Sequence, residues 1–132
     1  LKCIEAHDNI LRTLNASNPM TRETGVRAIA QLWKASDFEV LLALHDNDMS
    51  LTVRKAAAWV LREHANASTW KQLFDRWKAQ PIRRHRTWAC ELTGKYGDES
   101  CTPALKELSL DEDGHVRKAA SRAAEKLRIT IN

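Results

Sequence analysis

The sequence predicts an all-α fold, an α-α superhelix of about four stacked helix pairs. Three observations carry that reading. Val-Arg-Lys-Ala-Ala occurs at 53–57 and again at 116–120, each time opening a helical pattern. The two copies lie 63 residues apart, about two periods of 31 or 32, and a weaker copy of the same stripe sits midway. Four Gly and three Pro among 132 residues leave little punctuation, which favours helices joined by short links.

The first helix of each pair repeats an i, i+4, i+8, i+11 stripe, one face of an α-helix. Its four copies are Thr21, Gly25, Ile29, Leu32; Val53, Ala57, Leu61, His64; His85, Ala89, Thr93, Tyr96; and Val116, Ala120, Ala124, Leu127. The second helix repeats an i, i+3, i+4, i+7 stripe. Its copies are His7, Ile10, Leu11, Leu14; Phe38, Leu41, Leu42, His45; Trp70, Leu73, Phe74, Trp77; and Cys101, Ala104, Leu105, Leu108. Eight helices follow, at about 2–14, 18–34, 37–46, 50–65, 67–79, 81–96, 100–109 and 113–128. They make one domain: a half repeat at 1–15, repeats at about 16–46, 47–79 and 80–109, and a terminal half repeat at 110–132. Ser17-Asn18-Pro19 supplies a cap and a helix-opening proline. Ser36-Asp37, Ser68 and Ser100 stand before second helices, and Gly94 and Gly97 stand where the third first-helix should stop. The chain lacks an initial Met and starts inside a second helix, so further repeats are expected to be missing or replaced by makeshift caps.

The repeated residues, Val53 to Leu61, Val116 to Ala124 and Leu92 to Asp98 (LTGKYGD), resemble the HEAT-repeat family, and within it the bacterial phycobilisome-lyase-like branch. The resemblance implies an Asp six residues before the Arg that opens each first helix. Asp48 precedes Arg54 and Asp111 precedes Arg117 at that spacing, whereas Ala16 and Gln80 stand before Arg22 and Arg86. Asp48, Arg54, Asp111 and Arg117 are therefore expected to form a structural ladder, each Arg bonding a loop Asp or carbonyl of a neighbouring unit. The resemblance also implies that second helices line an inner, concave face.

Composition narrows the function. The net charge is +4, with a pI near 9.2 and 29% charged residues. That permits an acidic or nucleic-acid partner without demanding one. No apolar run approaches a membrane span, and no stretch reads as a secretory signal, since LKCIEAHDN is charged early. Cys3, Cys90 and Cys101 are odd in number and widely spaced, which reads as free thiols in the cytoplasm. No glycine-rich phosphate loop occurs, and no nucleophile stands with a base and orienter. The DEDGH stretch at 111–115 starts like a calcium loop, but the twelfth position is Arg122 rather than Glu. Neither a metal nor another cofactor is expected.

The expected function is a non-enzymatic protein-binding scaffold. Glu39, Val40, Lys71, Gln72, Asp75 and Arg76 are candidate contacts on the second helices. Arg83 and Arg84, beside His85 and Arg86, form the densest basic cluster and are a candidate phosphate edge that the ladder does not explain. The alternative is therefore a nucleic-acid-binding protein. This chain resembles the alkylpurine DNA glycosylases in combining aromatic, acidic and basic residues, here Trp70, Trp77, Asp75 and Arg76. A bilin lyase-related role and a toxin-immunity role remain further readings. Trp70, Trp77 and Trp88 are expected in the core, with Trp33 or Trp59 expected to be partly exposed and to serve as an anchor.

Overall fold

The computed structural model describes the backbone of residues 2–131 and the side chains of residues 4–131. The expectation for Cys3 lies outside the described side chains. Every regular element among the described residues is helical: α1 (Lys2–Thr13), α2 (Pro19–Ile29), α3 (Asp37–Asn47), α4 (Leu51–Glu63), α5 (Trp70–Trp77), α6 (Arg83–Tyr96), α7 (Thr102–Leu108) and α8 (Gly114–Leu127). Short 3-10 turns extend α2 at Ala30–Leu32 and precede α7 at Glu99–Cys101. The architecture is a HEAT-like array of helix pairs. None of these helices is long and apolar enough to cross a membrane.

The chain divides into two compact units, one ending at His64 and the other starting at Ala65. In the first, α2 packs against α1 and α4, and α3 packs against α4. Its core is Val26, Ile29, Leu41, Val53, Ala57 and Leu61, all at 0% exposure. In the second, α6 packs against α5 and α8, and α7 packs against α8. Its core is Leu73, Phe74, Trp77, Ala89, Leu105, Val116 and Ala120. Apart from Val26, these are stripe positions of the repeat, so the helices bury the face that their period marks.

The helix starts differ from the expected caps. Asn18, Ser50 and Asp113 accept backbone N–H bonds at the starts of α2, α4 and α8. Ser36 makes no capping bond. Its neighbour Asp37 is the buried acceptor, taking the Lys34 N–H at 2.8 Å. Asn66 serves the turn at Ser68 and Thr69, and Asp98 accepts from the Ser100 N–H and hydroxyl. A carboxylate or amide two residues upstream closes these turns better than serine does.

Gly97 caps α6, donating its N–H to the Thr93 carbonyl at 2.8 Å. Gly94 does something else. A Cβ there would lie 3.0 Å from the Ala123 Cα, so Gly94 lets α6 and α8 approach closely rather than ending a helix. The end of α8 is made by Arg128, the one described non-glycine residue with a left-handed backbone (φ 56°). The Ile129 N–H then turns back to the Ala124 carbonyl at 2.8 Å.

Candidate binding surfaces and the arginine ladder

Each unit carries a ladder built on its leading arginines. In the first unit, Arg22 grips Asp48 with two parallel bonds, Nε to Oδ2 at 2.9 Å and Nη2 to Oδ1 at 3.0 Å. Its remaining nitrogen, Nη1, donates to the Ala16 and Ser17 carbonyls. In the second unit, Arg86 grips Asp111 in the same way, at 2.9 and 3.2 Å, while its Nη1 donates to the Gln80 and Pro81 carbonyls. Both arginines lie in the first turn of helices whose own loop lacks the Asp, and each reaches forward to the Asp of the following pair. A guanidinium presents two such edges in one plane, which suits this double duty.

The expected ladder residues thus fall into two kinds. Asp48 and Asp111 hold the carboxylate ends. The Arg22 guanidinium pulls Asp48 below the ordinary carboxylate pKa, aided by the Ser50 N–H, against the opposing effect of burial. For Asp111, burial is the largest influence and raises the pKa, but the bonds from Arg86 and the Asp113 N–H together outweigh it. Arg54 and Arg117 do not bind these carboxylates. Arg54 Nη1 donates to the Asp48 carbonyl, and Arg117 Nη1 to the Asp111 and Glu112 carbonyls. They tether their own loops.

Of the expected basic edge, Arg83 is paired. Its Nη1 donates to Asp113 at 3.1 Å, although its side chain remains 66% exposed. Its partner lies outside the expected ladder: Asp113 caps α8 with one oxygen and holds Arg83 with the other. Arg84 is exposed.

The second-helix candidates are exposed in both units. On α3, Glu39 and Val40 face out beside Ala43, with Val40 at 41%. On α5, Lys71, Gln72 and Asp75 are exposed and Arg76 is half-buried. Asp75 lies between two ammonium groups, 3.6 Å from Lys71 and 3.8 Å from Lys78. The Lys71 ammonium also sits 4.6 Å from the centre of the Phe74 ring. Arg76 donates to the Gln72 carbonyl at 3.0 Å.

The aromatic residues divide as their stripes imply, with one adjustment. Trp77 and Trp88 are buried and meet edge to face, 5.4 Å between centroids. Trp70 is half-buried and stacks on Tyr96. Trp33 stacks on His64 at 4.4 Å, and Trp59 is 42% exposed with its indole N–H donating to Glu63. Sequence reasoning missed one polar pair altogether. His7 on α1 donates Nε2–H to Asp37 at 2.8 Å, both residues being almost fully buried. The signal was present, because Asp37 stands at the opening turn of α3 and His7 lies on the α1 packing stripe.

A search of curated proteins finds no match. The family description for HEAT repeats matches residues 38–128, most of the chain. That match, over helix pairs tied Arg to Asp along their leading edges, shows that the chain belongs to the HEAT-repeat family.

Proposed function

We propose that this chain is a protein-binding scaffold, working as one domain through the exposed faces of its second helices. HEAT repeats generally mediate protein interactions, and the pairing of the arginines supports that reading over a nucleic-acid one. Arg22, Arg83 and Arg86 are paired with Asp48, Asp113 and Asp111, which reduces the positive charge that this edge offers a phosphate chain. The faces of α3 and α5 instead mix charge with apolar surface at Val40 and with a lysine over an aromatic ring at Phe74. Such surfaces suit contacts where a few anchors dominate the energy. The repeated Val-Arg-Lys-Ala-Ala supports the phycobilisome-lyase-like branch of the family, and the free Cys90 and Cys101 suit a reducing cytoplasm.

The deciding experiment has two arms. Duplex and single-stranded DNA are titrated at low and moderate salt, following tryptophan fluorescence; no tight, salt-sensitive binding is expected. Immobilised chain is then used to retain a protein partner, and Val40→Asp and Lys71→Glu are expected to release it. Tight DNA binding that collapses with salt would transfer the function to the basic edge.

A further inference from the structure

We propose that the outer face of α8 is a docking site for an acidic segment of a protein partner. The inference rests on the protein-binding reading above but uses a face other than the second helices. Lys118, Arg122 and Lys126 stand four residues apart, so a cation recurs about every 6 Å along one side of the helix. All three are exposed, and none has an ion-pair or hydrogen-bond partner among the described residues. Glu125 lies one residue off the row and pairs with none of them. The other first helices fill the same positions differently. On α2 they hold Glu23 and Arg27, which pair at 3.0 Å. On α4 Glu63 takes the Trp59 indole N–H, and on α6 Glu91 stands four residues before Lys95. Of the four rows, that of α8 alone has no acid.

Like charges four residues apart on a helix repel, and a cation near the amino end opposes the helix dipole. Folding therefore does not account for Lys118 beside Arg122. A carboxylate brought from outside would stand where Glu23 stands on α2. The row is also open on a helix flanked by another: α6 has α8 packed along it and still exposes Glu91 and Lys95, the counterparts of Arg122 and Lys126. The Lys126 stem lies across α6, its Cδ 3.5 Å from the place of a Gly94 Cβ, so its side chain is partly ordered before binding.

Charge makes the occupant an anion, and length and surroundings select a peptide. The row spans about 12 Å. A phosphate chain runs past both ends and at the amino end meets Asp111, Glu112 and Asp113 of the preceding loop. A peptide can turn away after three carboxylates. Acids at every fourth position of a helix, or at alternate positions of a strand, recur at about 6 to 7 Å and match the row. Single-strand binders also stack bases on aromatic rings, and no described ring of the second unit is exposed.

The test titrates the full chain with a short capped oligoglutamate at low salt, by calorimetry, beside a single-stranded oligonucleotide of equal charge. Saturable binding of the peptide is expected, tighter than that of the oligonucleotide. Lys118→Gln with Arg122→Gln and Lys126→Gln should weaken the peptide by about ten-fold or more. Lys34→Gln with Lys55→Gln and Lys106→Gln removes equal charge from exposed sites elsewhere and should leave binding within about two-fold. Lys118→Glu reproduces on α8 the arrangement of Glu23 and Arg27, so it should raise the melting temperature while weakening the peptide several-fold. Equal losses in the two triple variants would show that net charge alone binds, and would overturn the proposal. So would the absence of saturable binding at low salt. Tighter binding of the oligonucleotide would overturn the peptide assignment and give the face to nucleic acid. Failure here leaves the scaffold reading to its own test, partner release by the Val40 and Lys71 variants.

Discussion

Asp48 and Asp111 make stability depend on acid. Their folded pKa values lie below those of an unfolded chain, near 3.9, so each folded carboxylate binds its proton more weakly. The stabilisation is complete above about pH 5 and is lost as pH falls through the folded values. Unfolding by urea at a series of pH values should show a steep loss below about pH 4, and Asp48→Asn with Asp111→Asn should flatten it. Asp37 is the more damaging site. Asp37→Ala leaves the buried His7 ring and the Lys34 N–H unpaired, and should cost about 3 kcal/mol in chemical denaturation. Cys90 gives a chemical readout, since burial pushes its thiol up to about 12. Iodoacetamide at neutral pH should leave Cys90 unmodified in the native chain and label it once urea is added. Residue roles were only half legible in the sequence. The Asp-to-Arg spacing singled out Asp48, Arg54, Asp111 and Arg117, but the two carboxylates are held by Arg22 and Arg86, whose own loops lack the Asp. All four arginines also bond carbonyls of their own loops, which the spacing alone did not announce.

Helices were legible because every pair repeats the same apolar stripe, and burial follows most of that stripe from Ile29 to Ala124. Their ends were less so. Expected α5 was 67–79, yet it runs only from Trp70 to Trp77, since Asn66 holds the preceding residues in a turn. Gly94 shows a second limit. In sequence a glycine late in a helix looks like a stop; its use against Ala123 is visible only once α8 is in place. Gly94→Leu should therefore destabilise by about 2 kcal/mol or more, read as a lowered urea midpoint, as expected for overpacking against backbone. The opposite sign is expected at the end of α8. Arg128 carries a left-handed backbone that glycine adopts without strain, so Arg128→Gly should stabilise by about 0.5–1 kcal/mol.

At the scale of the molecule, the family was legible and the partner was not, because repeat periodicity records how helices pack rather than what they touch. The second unit contains its own ladder, aromatic cluster and close helix contact. Residues 65–132 made alone should thus melt cooperatively by circular dichroism; a featureless linear loss of helicity would refute its independence. The forward reach of the arginines also sets an order of events during synthesis. Asp48 leaves the ribosome 26 residues after Arg22, and Asp111 leaves 25 after Arg86. At roughly 5–20 residues per second that is a wait of about one to five seconds. For that interval the newest helix has a charged edge without its counter-ion. The helices of Arg22 and Arg86 are each finished by the arrival of a later loop, and a ribosome stalled between the two leaves that arginine still waiting.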